Sequence, residues 1–96
     1  MGEKVNVFKD GTNLRAGGYR ARQGDPDNKI GVISAGFYEA LYQCAGQDVT
    51  EGDDRNHWWV KIVAGDKKGW VSAVRIRTGV NDKPIPGVEV RRTEFV

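Results

Sequence analysis

Short stretches in which apolar and polar residues alternate run along most of the chain, and glycine-rich or polar stretches separate them. Alternation with a period of two is typical of strands with one buried face. Five strands are predicted on this basis, at residues 5–8, 29–34, 37–44, 57–63 and 67–72. Residues 35–44 also fit a short helix, but Gly36 weakens a helix start and the aromatic side chains favour a strand.

Glycines and polar residues predict the connections between these strands. Residues 9–11 and 64–66 are suited to tight turns. Residues 12–28 carry little hydrophobic periodicity and are predicted to form a long exposed loop, and the acidic stretch 48–56 a second, solvated loop. Pro84 and Pro86 hold the chain extended and lack amide donors, which favours a linker or arm that ends in an edge strand.

The pattern as a whole predicts an all-β fold, a small five- to six-stranded barrel with a long first loop. A chain of 96 residues is too short for two cores without disulfides or metals. We therefore expect one barrel over residues 1–77 and an extended arm or edge strand over residues 78–96.

Composition and charge narrow the range of partners. Fifteen Lys and Arg residues alternate with thirteen Asp and Glu residues instead of forming a basic block, so nucleic acid is not expected. Nowhere do eighteen apolar residues run together, so no membrane partner is expected either. The first residues contain no apolar stretch of signal-peptide length, which leaves two locations open: cytoplasmic, or extracellular if the chain is part of a longer protein.

The residues that usually carry out chemistry are scarce. Cys44 and His57 are the only cysteine and the only histidine, and their spacing matches no catalytic signature. The same scarcity argues against a zinc site. Gly17-Gly18 lacks the following lysine and helix that phosphate binding needs. We expect a protein with no catalytic residues, no metal and no cofactor.

Three segments resemble the bacterial SH3-like domain family. Residues 13–18, Asn-Leu-Arg-Ala-Gly-Gly, are similar to the signature that opens these domains, and residues 57–62 and 69–72 resemble their paired final strands. The resemblance covers about residues 5–76; the insertion between residues 18 and 30 is longer than expected for the family, and the tail from residue 77 has no counterpart. It implies an SH3-like barrel that binds cell-wall or peptide ligands.

Aromatic residues are the candidates for ligand contact. Alternation places Trp58 on one face of its strand and Trp59 on the other, so one of them points away from the core unless a bulge intervenes. An outward ring suits a proline-rich peptide, a sugar ring or a stem peptide, although Trp59 would equally serve to cover the barrel's end. The candidate ligand-binding residues are Trp58, Trp59, Tyr19, Arg20, Arg22, Tyr42 and Trp70.

Two functions follow from these expectations. The first is a non-catalytic module that binds peptidoglycan or a peptide ligand. The alternative is an intracellular or phage-encoded component for protein interaction or assembly, in which the C-terminal arm joins a partner protein or a second copy. A third arrangement, in which the proline segment lies on its own barrel, would mask the aromatic surface.

Overall fold

A computed structural model describes residues 3–16 and 29–91, and β-strands make up most of this part of the chain. The six strands are β1 (Glu3–Val7), β2 (Thr12–Arg15), β3 (Lys29–Ile33), β4 (Gly36–Glu51), β5 (Asp54–Ala64) and β6 (Lys67–Ser72). A single 3-10 turn, Ala73–Arg75, follows β6. The predicted all-β fold of five to six strands is confirmed, and residues 36–44 form a strand as expected.

All strand pairs are antiparallel, in the spatial order β1-β4-β5-β6-β2-β3. After the 3-10 turn the chain returns to β1, where Val7 and Ile76 form a bridge. The amide of Phe8 donates to the carbonyl of Arg75 at 3.1 Å, and the amide of Arg77 donates to the carbonyl of Asn6 at 2.8 Å. These bonds bring the segment after β6 against the first strand, so the sheet curls into a small barrel.

The barrel encloses one main core, and a second apolar cluster lies on the opposite face of β5. The main core contains Val5, Val7, Leu14, Ile33, Ala40, Val60, Ile62, Val71, Ala73, Ile76, Ile85 and Val88. The second cluster contains Cys44, Val49, Trp59, Trp70 and Val74, with Tyr42 packed against it. Strand β5 is therefore covered by apolar side chains on both faces.

The predicted acidic loop at residues 48–56 is wrong, because β4 and β5 continue through most of it as a long hairpin. Val49 pairs with Asn56, and both side chains are buried. The hairpin turns at Gly52, whose φ of +61° is a conformation that glycine adopts at little cost. Asp48, Asp53 and Asp54 occupy exposed positions of the hairpin, Glu51 is partly buried, and the buried pair Val49–Asn56 holds the two strands together.

The predicted loop at residues 12–28 is wrong for its first part, because Thr12–Arg15 is strand β2. Leu14 is fully buried and pairs with β3, and Arg15 pairs with Trp70 of β6. Gly69 makes this approach possible: a Cβ at Gly69 would lie 2.6 Å from Cγ of Leu14 and 3.0 Å from the carbonyl oxygen of Arg15. A strand pair this close excludes a side chain at that position.

The C-terminal arm docks on its own barrel as far as residue 91. Ile85 and Val88 are buried in the main core, and Gln43, which is also buried, binds the arm's backbone. Nε2 of Gln43 donates to the carbonyls of Ile85 (2.7 Å) and Val88 (2.9 Å), and Oε1 accepts from the amide of Ile85 (2.8 Å). Within residues 3–16 and 29–91, no helix has the length and apolarity needed to span a bilayer.

Candidate functional site

The two adjacent tryptophans of β5 lie on opposite faces, as the alternation predicts. Trp58 is partly exposed and packs against the main core. Trp59 is 2% exposed and belongs to the second cluster, with Trp70, which is fully buried. Rings this deeply buried offer no flat platform to a ligand, so the accessible part of this face comes from neighbouring residues.

Those neighbours form a row across three strands. Lys61 on β5 stands opposite Tyr42 on β4 and opposite Trp70 on β6. Directly paired residues in antiparallel strands project to the same face. Nζ of Lys61 lies 5.7 Å from the ring centre of Tyr42 and 5.8 Å from that of Trp70. The two rings meet edge to face, 5.8 Å apart, so the ammonium group sits over a fixed aromatic pair.

The row continues on the same face from β6 to strands β2 and β3. Arg15 on β2 pairs with Trp70, and Lys29 on β3 pairs with Arg15. We call Tyr42, Lys61, Trp70, Arg15 and Lys29 the cross-strand row. The two cations Arg15 and Lys29 meet where the register between β2 and β3 shifts.

The arm adds one more cation to this face. The guanidinium carbon of Arg91 lies 4.2 Å from the ring centre of Tyr42. Arg91 is placed there because its amide donates to the carbonyl of Gln43 at 2.8 Å. The docked arm thus brings the guanidinium of Arg91, which is ion-paired with Glu89 at 2.8 Å, to the end of the row that Tyr42 occupies.

A cleft opens on the same face beside the row, with a volume of about 80 Å³. Strand β2 contributes Thr12, Asn13 and Arg15 to its wall, and Trp59 and Ser72 lie next to them as a directly paired couple of β5 and β6. Such a mixture of a few polar groups with an aromatic surface is typical of sites that fix a ligand's orientation.

The remaining wall of the cleft is held by a bidentate ion pair. Nε and Nη2 of Arg75 donate to the two carboxylate oxygens of Glu51 at 2.6 and 2.7 Å. Nη1 of Arg75 donates to Oγ1 of Thr12 at 3.3 Å. All three guanidinium nitrogens of Arg75 are engaged, so this residue fixes the shape of the cleft.

One group of side chains with metal-ligating atoms converges in the part of the chain that the structure describes. Nδ1 of His57 lies 3.4 Å from Oδ1 of Asp82 and 4.0 Å from Oδ1 of Asp48. Arg55 binds the other oxygen of Asp82 at 2.8 Å. These residues form an ion-pair network that links the arm to β5.

The site residues expected from the sequence divide into three groups. Tyr42 and Trp70 belong to the row, and Trp59 lines the cleft; Trp58 is on the opposite face. Tyr19, Arg20 and Arg22 lie outside the described residues. Lys61, Arg91 and the cleft were not predicted from the sequence, and Arg15 was predicted to lie in a loop. Only the alternation of residues 57–63 pointed to Lys61, since it puts this lysine on the face of Trp59.

Comparison with protein-family models, with curated proteins and with solved structures finds no match for this chain. Membership of the bacterial SH3-like family therefore stays a prediction that rests on the sequence motifs.

Proposed function

We propose that this chain is a non-catalytic, SH3-like binding module that recognises an anionic peptide, with the stem peptide of cell-wall peptidoglycan as the leading example. The observation that carries the proposal is the cross-strand row. Its accessible side chains are Tyr42, Lys61 and Lys29, whereas Trp70 and Arg15 are buried between Lys61 and Lys29, and the cleft opens beside the row. A partly exposed ring flanked by cations suits a short chain that carries carboxylates and small apolar groups.

The arrangement of the chemically reactive residues supports binding without reaction. Cys44 is 1% exposed within the second cluster, and His57 contacts Asp82 and the ring of Trp58. A nucleophile needs a base within hydrogen-bond reach and access to the ligand. A thiol buried to this degree and a histidine engaged with the arm are suited to structural roles.

Retention on purified peptidoglycan tests the proposal. The intact chain is expected to sediment with peptidoglycan and to be released by soluble muropeptides. Lys61→Gln removes the ammonium between Tyr42 and Trp70 and is expected to weaken retention about threefold to tenfold. Lys4→Gln, an exposed position on β1, makes the same change of charge away from the row.

The paired variants separate site binding from general electrostatic adsorption. Equal loss in Lys61→Gln and Lys4→Gln would indicate adsorption, and a wild-type chain that stays in solution at low salt would overturn the proposal.

A second candidate function, protein assembly, is favoured by exposed apolar residues on β3 and at the start of β4. Val32 on β3 is 54% exposed and Phe37 at the start of β4 is 69% exposed. Strand β3 ends the strand order, and edge strands are common sites of pairing with other chains. A molecular mass in solution that rises with protein concentration in the wild type, but not in Val32→Lys, would support assembly. A wild-type protein that stays monomeric at all concentrations would count against it.

A further inference from the structure

Two carboxylates, one from the arm and one from the β4–β5 hairpin, face the histidine of β5. Oδ1 of Asp82 lies 3.4 Å from Nδ1 of His57, and Oδ1 of Asp48 lies 4.0 Å from the same nitrogen. The three atoms all lie within 4.8 Å of one another. An imidazole nitrogen and two carboxylate oxygens thus converge from three separate segments of the chain.

The spacing of these atoms is close to that of ligands around a tetrahedral zinc ion. Zinc lies about 2.0–2.2 Å from imidazole nitrogens and carboxylate oxygens, so neighbouring ligand atoms are about 3.3–3.6 Å apart. His57 and Asp82 have this separation already, at 3.4 Å. Asp48 has to come closer by about 1 Å to reach the same spacing. Its side chain is 72% exposed, which leaves it room to move.

Arg55 holds Asp82 in the orientation that a metal ligand needs. Its Nε and Nη2 atoms donate to Oδ2 of Asp82 at 3.0 and 2.8 Å, while Oδ1 faces His57. The main chain is tied at the same place, because the amide of Asp82 donates to the carbonyl of Arg55 at 3.0 Å. Hydrogen bonds of this kind orient the ligands of metal sites.

The charges and the donor types indicate which ion fits. With His57 neutral, the two carboxylates and the guanidinium of Arg55 leave one net negative charge, which favours a cation. Magnesium and calcium prefer oxygen ligands alone, whereas an imidazole nitrogen suits zinc and related first-row ions. Three protein ligands with a water in the fourth position are a common zinc arrangement.

We infer that Asp48, His57 and Asp82 bind one zinc ion, with water as the fourth ligand, and that this ion ties the arm to the β4–β5 hairpin. The site shares no residue with the cross-strand row, so the inference goes beyond the proposed binding function. It replaces the sequence-based expectation of a chain without a metal, because no local spacing predicts that Asp82 meets His57.

Isothermal titration of the chelator-treated intact chain with zinc chloride tests the inference. One equivalent is expected to bind with a dissociation constant below about 10 µM, and magnesium at least about tenfold more weakly. Asp48→Asn keeps the shape of an exposed ligand but supplies a neutral amide, and is expected to weaken zinc binding at least about tenfold. Asp53→Asn makes the same change of charge at an exposed position of the same hairpin and is expected to bind zinc within about twofold of the wild type.

Thermal unfolding supplies a second readout. Zinc at about 100 times its dissociation constant is expected to raise the unfolding midpoint of the wild type and of Asp53→Asn by at least about 5 °C, because the ion binds the folded chain. His57→Gln is expected to lose this rise.

Three results would overturn the zinc site. The first is a wild type that binds no zinc, or binds magnesium as tightly. The second is equal weakening of zinc binding in Asp48→Asn and Asp53→Asn, which would indicate general attraction of cations to the acidic hairpin. The third is an unchanged zinc affinity in His57→Gln, which would place the ion elsewhere.

Discussion

Gln43 of β4 hydrogen-bonds both main-chain groups of Ile85: its Oε1 accepts from the amide at 2.8 Å and its Nε2 donates to the carbonyl at 2.7 Å. A strand residue at a fully buried position thus binds the arm as a neighbouring strand would. The arm is a component of the barrel's core through this contact, and it carries Arg91 to the ring of Tyr42.

Gln43→Leu is expected to lower the free energy of unfolding by about 3 kcal/mol. The variant keeps a side chain of similar size but removes the partner of three main-chain groups, the amide and carbonyl of Ile85 and the carbonyl of Val88, at about 1–3 kcal/mol for each buried group left unpaired. Urea denaturation gives the value. Glu39→Gln, an exposed change on the same strand, serves as the control and is expected to stay within about 0.5 kcal/mol of the wild type. A Gln43→Leu protein as stable as this control would contradict the role of Gln43.

Two valines of the arm provide a matched pair. Val88 is 7% exposed in the main core, and Val90 is 51% exposed. Val88→Ala is expected to cost about 1.5–3 kcal/mol through lost burial and the cavity left behind, and Val90→Ala less than about 0.5 kcal/mol. Thermal or urea unfolding measures both, and equal costs would show that the arm is not packed in the core in solution.

Two glycines in the strands provide a second matched pair. A Cβ at Gly69 would lie within 3.0 Å of the side chain of Leu14, whereas a Cβ at Gly31 would meet only the end of Lys67 at 3.6 Å. Gly69→Ala is expected to destabilise the protein by about 1–3 kcal/mol, because β2 must move away from β6. Gly31→Ala is expected to be neutral or slightly stabilising. The reverse order of stabilities would contradict the close packing of β2 against β6.

Local pattern predicts the strands in which several apolar residues alternate. Residues 57–63 and 67–72 are examples: their apolar and aromatic residues identify both strands, and in the structure each of these strands has buried residues on both faces. Local pattern does not predict strand β2, because Leu14 is its only large apolar residue. Its pairing depends on the absence of a side chain at Gly69, which is distant in sequence. The long hairpin was also missed, because its exposed acidic residues outnumber the buried pair Val49 and Asn56.

The candidate site was predictable only in part, for a similar reason. The aromatic residues Tyr42, Trp59 and Trp70 stand out in the sequence, but their exposure depends on what covers the second face of β5. Arg15 becomes a neighbour of Trp70 only through the pairing of β2 with β6. The position of Arg91 depends on the docked arm, and no local sequence pattern predicts that Gln43 binds this arm.

Peptide binding on the cross-strand row is tested most directly by tryptophan fluorescence during a titration with muropeptides, in the wild type and in Trp58→Phe. Trp58 packs on the main core, whereas Trp59 and Trp70 lie on the face that carries the row. A saturable change that persists in Trp58→Phe is the predicted result. No change in the wild type, or a change that Trp58→Phe abolishes in a folded protein, would contradict binding at this face.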